Sequence, residues 1–455
     1  MKIKNKYKQI QAIWQLTWPQ ASMLLCQFFI SITDVWAAGQ LGSEVQASIG
    51  IIAQVQMLLL SLVMAASSGA VASISQSLGA RKYIRAQRYI GLVVFSCLIL
   101  GVCLTIFGVI FQVPFLKFVQ TPESIFSIAL MFFEVYLLAL PGQYMLTIGS
   151  AVFRAVKSVY IPLYIAIIIG ILNFIGDMVF GLGWWGWHSY GAIGIAWTTC
   201  ISVSFGGVVI LFLLFYNHWL TRYSFPPWGW IKKGSMYLLQ VSGPSLATAA
   251  IWQTGYLVLF IIAGTLPSEG VATLAGLTAG IRIESILFLP GIAFSMTSAI
   301  LVGYALGLGN KQEAKHTLLM VVFVACLSMS FLGAMLWPWR DALAAFLSSD
   351  PLVRQEIASY LNYNILCVPF TIASIVLAGG LNGAGASIYP MIIFGFSIWG
   401  IRLPLAWFLS HFLWETSSGI YMALLVSQFV QSMLLLWVVL RYNWARFSMH
   451  NSMSN

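Results

Sequence analysis

The chain has 455 residues, of which 60% are hydrophobic and only 7% charged, and its formal net charge is +10. A soluble protein has about a quarter of its residues charged, so this chain cannot clothe a water-facing surface of its size and its natural solvent is lipid. No basic domain exists to hold a duplex, which excludes nucleic-acid binding as the reason for the charge.

One helical span needs about 20 mostly apolar residues. In chain order such runs fall at 11–36, 47–76, 88–112, 126–150, 158–181, 189–216, 240–264, 271–305, 315–337, 356–380, 386–411 and 417–441. The basic start Lys2–Lys8 resembles a signal-peptide n-region. The apolar run behind it contains Pro19 and Asp34 and lacks a small-residue cleavage site, which predicts a retained first helix. The second and eighth runs are long enough to kink or to pass beyond the bilayer. Between the sixth and seventh, the Tyr223–Trp230 stretch with Pro226 and Pro227 reads as a stiff interfacial linker. The Trp184, Trp185, Trp187 and Tyr190 cluster reads as an aromatic belt at the membrane boundary.

Charge sorting tests this map. Twelve spans place both termini on one side. Of the 22 Lys and Arg residues, Arg282 and Arg402 lie inside spans, Lys117, Arg340 and Arg354 fall on the far side, and the remaining seventeen fall on the terminal side. Basic loops mark the cytoplasm, and the acids sort the opposite way, with Glu44, Glu123, Glu269, Asp341, Asp350, Glu356 and Glu415 outside and only Glu313 inside. One span too many or too few would scramble both patterns. The six cysteines sit inside spans without ligand spacing and read as small packing residues. No HExxH, GxSxG, P-loop or GxGxxG context occurs. The expectation is therefore neither an enzyme nor an ATP-driven pump, with no cofactor beyond a coupling ion.

An internal repeat organises the chain. Leu41-Gly42-Ser43-Glu44 recurs as Leu266-Pro267-Ser268-Glu269 at an offset of 225, and Pro19 and Gly39 meet Pro244 and Gly264 at the same offset. Pro141 and Pro162 meet Pro369 and Pro390 at an offset of 228. The reading is all-α, with two six-helix lobes, 1–220 and 221–455, related by a pseudo-two-fold axis along the membrane normal. In such proteins substrate and ion sites lie near the midplane.

An acid at mid-membrane costs about 2.5–3.5 kcal/mol on insertion scales, so it has either a function or a partner. Asp34, Asp177 and Glu284 lie well within spans, and Glu134 nearer an outer end. The repeat partners of Asp34 and Asp177 are Leu259 and Leu405, so the fold itself does not need acids there. Asn173 stands one turn before Asp177 on the same helical face. This set suits a proton site, because two neighbouring acids in low dielectric cannot both ionise easily. A sodium site would recruit further oxygens, with Thr198 or Thr199 as candidates. The alternative is acids bonded to neighbouring helices purely for packing. Arg282 and Glu284 are two residues apart, about 200° around the helix, so they do not face each other. One faces the central cavity and the other pairs elsewhere. Leu289-Pro290-Gly291 should kink that helix. Arg402 has no evident partner in the sequence.

Several segments together resemble the multidrug and toxic compound extrusion (MATE) family. They are Asp34-Val35-Trp36-Ala37-Ala38-Gly39-Gln40-Leu41-Gly42, Asn173–Asp177 and Gly191–Thr198, and, in the second half, Arg282–Gly291 and Val302–Gly307. The last two are similar to the branch named after the DNA-damage-inducible protein F. The resemblance implies a V-shaped two-lobe fold that alternates between outward- and inward-open states. It also implies efflux of small cationic or amphipathic organic compounds across the bacterial inner membrane, driven by H⁺ or Na⁺. By position, Asp34, Asn173, Asp177 and Thr198 would form the cation-coupling site. The residues themselves make Glu284 and Arg282 the candidates to meet substrate, with structural pairing as the alternative for each. The chain departs from the family pattern in having no carboxylate in Ile251–Gly264, which favours protons. It departs again with Tyr304 after Val302-Gly303, where Gln is usual. The expected partners are these substrates and membrane lipid, with the chain acting as a monomer. A lipid-linked oligosaccharide flippase of the same superfamily is the competing reading, and it would want more cationic groups along the cavity.

The topology is directly testable. With both termini and the Lys311–His316 loop cytoplasmic, Glu313→Cys in a background lacking the native cysteines should react only with reagents that reach the cytoplasm. Labelling exclusively from outside would overturn the twelve-span map.

Overall fold

Twelve helices in the computed structural model are long and apolar enough to cross a bilayer. They are α1 (Lys8–Leu41), α2 (Ser43–Gly79), α3 (Tyr83–Phe118), α4 (Glu123–Ala155), α5 (Tyr160–Gly181), α6 (Gly191–Tyr216), α7 (Trp228–Gly264), α8 (Gly270–Gly307), α9 (Lys311–Leu347), α10 (Pro351–Gly383), α11 (Ile388–Leu413) and α12 (Ser418–Arg441). The structure describes residues 2–266 and 270–449. Expectations placed on Pro267, Ser268, Glu269 and His450, and on the side chains of Lys2, Lys4 and Lys6, lie outside the described residues. No strand occurs among the described residues, as an all-α membrane chain requires.

Helix number and order follow the hydropathy, and the ends differ where local chemistry extends a helix. The expected linker is shorter than Tyr223–Trp230, because Trp228 already opens α7. Ahead of it, Arg222–Ser224 forms a tight turn whose Thr221 hydroxyl accepts from the Tyr223 amide. α9 outruns its expected end at 337. Its Trp337–Trp339 turn is followed by a short amphipathic helix, Arg340–Leu347. Prolines interrupt the interiors of α1, α3, α4, α7, α8 and α10, among them Pro290 in α8.

The chain forms two compact units. One comprises Ser22–Leu239. Within it α4 is central, packing on α2, α3 and α6. Lipid supplies no hydrophobic drive between helices, so close backbone approach through small residues carries much of the packing. α4 and α6 meet this way: a Cβ on Gly207 would collide with the Gly142 carbonyl oxygen. The start of α7 belongs to this unit, where the Tyr237 hydroxyl accepts from Gln76 Nε2 at 3.0 Å and Trp230 packs edge-on against Tyr89.

The other unit comprises Met1–Ala21 with Gln240–Asn455, and its main contact is α8 against α10. There a Cβ on Gly280 would collide with the Tyr360 ring, and one on Gly383 with the Ala299 carbonyl oxygen. Ser295 and Ser298 hydroxyls on α8 donate to the Ile375 and Val376 carbonyls of α10. The start of α1 is embedded here. Ile13 is buried against Leu287, Phe294 and Ile372, and Thr17 and Gln20 both bond to the Thr297 hydroxyl.

Candidate cation-coupling site

The acids expected inside the membrane in the first half converge within the Ser22–Leu239 unit. Asp34 lies in the second half of α1 and is half-buried. Asn173 and Asp177, one turn apart on α5, are 1% and 0% exposed. The last turn of α5, Asp177–Gly181, is wound as a π-helix. Such a turn inserts an extra residue and re-aims side chains, and it recurs at functional positions. The Asp34 carboxyl lies near Asp177, Asn173 and Thr199.

Hydrogen-bond accounting defines the chemistry. Asn173 Nδ2 donates to the Thr199 hydroxyl at 3.1 Å, and that hydroxyl in turn donates to the Ile195 carbonyl at 3.2 Å. This arrangement turns the Asn173 carbonyl oxygen inward. It, one Asp34 oxygen and both Asp177 oxygens are buried with no donor. Buried polar atoms are almost always paired, and here four open acceptors lie in one cluster. No base neutralises them: among the described residues the one ion pair is Arg340–Asp341. No group of three or more His, Cys, Asp or Glu residues able to hold a metal ion occurs among them either.

Of the two threonines weighed on α6, Thr199 makes the contact with Asn173. Thr198 sits one step around the helix with its side chain packed against the Gly176 backbone, where an added Cβ would collide with its methyl carbon. Tyr136 of α4 completes the cluster. It is 6% exposed and lies near both carboxylates and Thr199. Reading for charge alone passes over it, although the repeat carries a signal. At the offset of 228 Tyr136 meets Asn364, which lines the polar pocket of the other unit.

That second pocket gathers Tyr256, Glu284, Tyr360, Tyr363, Asn364 and Gln428. The Tyr360 hydroxyl donates a short bond to Glu284, and Asn364 Nδ2 donates to that hydroxyl at 3.4 Å. Arg282, expected to share this site, does not line the pocket. The arginine whose charge reaches Glu284 is Arg402, on the π-wound part of α11. It is 1% exposed, its Nε donates to the Ser427 hydroxyl at 2.9 Å, and its guanidinium lies 5.8 Å from the Tyr256 ring centroid. Glu356, sorted by sequence with the outer acids, is a buried side chain at the start of α10. It accepts from the Ser417 and Tyr421 hydroxyls at 2.8 and 2.6 Å.

Two helical units of membrane-length helices, with acids buried in one of them, describe a polytopic membrane protein. The MatE family model matches residues 19–179 and again 244–408. The chain belongs to that family of multidrug efflux transporters, and the two matches start 225 residues apart, as the internal repeat does. Among its relatives, the probable multidrug resistance protein NorM of Thermotoga maritima is 24% identical over 435 residues, covering 95% of this chain and 92% of that protein. The FAD transporter of Shewanella oneidensis is 22% identical over 384 residues, covering 83% and 82%. The crystal structure of the Vibrio cholerae MATE transporter VcmN in the bent form superposes with a TM-score of 0.86 at 20% identity, over 99% of this chain and 99% of that one.

The threonine assignment has a stability signature. Thr199→Val leaves the buried Asn173 amide without its acceptor and should cost about 1–3 kcal/mol. Thr198→Val, which keeps the packing on Gly176, should cost distinctly less. Thermal unfolding of the two purified variants compares them, and equal losses would contradict the contact with Asn173.

Proposed function

We propose that this protein is a secondary active antiporter that exports small cationic or amphipathic organic compounds in exchange for H⁺, or Na⁺, by alternating access. The observation carrying the proposal is the set of open oxygens on Asp34, Asn173 and Asp177, buried beside one another with no base in reach. Two carboxylates that share one low-dielectric site hold a cation strongly while closed off, and release it once water or a competing positive charge enters. Asp34 and Asp177 would carry the exchanged cation, and Asn173 and Thr199 would orient it, with Thr198 holding α5 against α6. No cofactor is required.

Glu284 and its tyrosine-lined pocket would attract cationic substrate, since a carboxylate shielded from bulk water favours cations over neutral molecules of similar shape. The Shewanella relative is by name a transporter of FAD, whose phosphates make it an anion. Here Arg402 is already engaged by Ser427 and Tyr256, so a cationic load fits this interior better. The same engagement argues against a flippase, whose pyrophosphate would need a free row of cations. The basic-residue sorting supports both termini being cytoplasmic, and the bacterial relatives support an inner-membrane location. Because the carboxylate cluster lies within one unit of one chain, a monomer would suffice.

Efflux of a cationic dye from proteoliposomes, under a pH gradient alone and then a Na⁺ gradient alone, tests this reading. Asp34→Asn should reduce efflux to the leak rate at near-normal folded yield, because Asn keeps the shape and cannot ionise. Asp34→Asn combined with Asp177→Asn should be little worse than either change alone if the pair acts as a unit. Mild, strictly additive losses would support a packing role for both acids.

A further inference from the structure

Neither polar interior uses a cavity of about 490 Å³ in the unit formed by Met1–Ala21 and Gln240–Asn455. Pro244 of α7, Ile388 and Ile392 of α11 and Phe447, just beyond α12, give it an apolar wall. Arg446 and Gln240 supply its polar groups. It lies where α11 begins and α12 has ended, on the side of the membrane that holds the chain ends. Tyr389 packs there against Tyr442 and Phe447, and Trp437 packs edge-on against Tyr442 at 4.9 Å. Clustered Trp and Tyr of this kind sit at headgroup level.

Among the described residues, the one charged residue lining the cavity is Arg446. The Arg446 guanidinium lies 4.9 Å from the Phe447 ring centroid, and no carboxylate approaches within ion-pair distance of it among the described residues. Below it the wall stays apolar into the span, and Ile392 is 58% exposed. A cation at headgroup level beside an apolar slot matches one kind of occupant. We propose that this cavity binds an anionic phospholipid, its phosphate on Arg446 beside the Gln240 amide and one acyl chain along Ile388, Ile392 and Pro244. Inorganic phosphate would leave the apolar wall uncovered, and a phosphocholine head would bring its own cation towards Arg446. The site stands independently of the transported compound and of the coupling ion.

Native mass spectrometry of the full-length protein in detergent tests the proposal. The probes are phosphatidylglycerol, phosphatidylcholine with the same acyl chains, and inorganic phosphate. One arginine at an anionic headgroup corresponds to about fivefold in affinity, so phosphatidylglycerol should be retained about fivefold more than phosphatidylcholine. Arg446→Gln should abolish that preference and Arg446→Lys should largely keep it. Ile392→Glu should lower retention of phosphatidylglycerol by obstructing the chain. Equal retention of the two lipids by the unaltered protein, or an undiminished preference in Arg446→Gln, would overturn the site. Displacement of the lipid by equimolar inorganic phosphate would overturn the lipid assignment.

Discussion

The unpaired burial of Asp34 and Asp177 is the constraint on which the rest of the first unit depends. A carboxylate in a span is costly, and a second one beside it adds repulsion that no arginine or lysine offsets here. Such a pair persists only where neighbouring helices hold it. α5 buries Asn173 and Asp177 and ends in a π-wound turn at the acid itself, α6 anchors Asn173 through Thr199, and α4 brings Tyr136 against the same group. The close crossing of α4 and α6 at Gly142 and Gly207 keeps those helices at fixed spacing.

The other unit handles its acids by opposite means. Glu284 receives the Tyr360 hydroxyl, and Glu356 receives two hydroxyls, from Ser417 and Tyr421. Arg402 is bonded to Ser427 and lies near the Tyr256 ring. Satisfied polar networks of this kind rigidify an interior, whereas open acceptors are suited to receive an ion. The two units thus share helix order and internal offsets while differing in how their buried acids are bonded.

Much of this was legible in the chain. Twelve apolar runs, the opposed sorting of bases and acids, and the offsets of 225 and 228 led to the helix order and to the asymmetry of Asp34 and Asp177. Helix periodicity also separated Arg282 from Glu284, and the bonded Glu284 in a pocket that Arg282 does not line agrees with it. What stayed hidden depends on rotation and neighbours. Thr198 and Thr199 are adjacent, and which one meets Asn173 is settled by how α6 turns against Gly176. The partners of Arg402 and Glu356 are serines and tyrosines, too common in the sequence to stand out. Tyr136 could be found only by asking which residue occupies the repeat position of Asn364.

The central claim is that the Asp34–Asp177 cluster holds the cation that substrate displaces. Cation release on adding a saturating cationic dye to purified protein, followed with a pH indicator and in parallel with radioactive sodium, measures this most directly. The account predicts release of one of the two cations by the unaltered protein, and of neither by the variant carrying Asp34→Asn and Asp177→Asn. Undiminished release from that double variant, with dye binding intact, would contradict it.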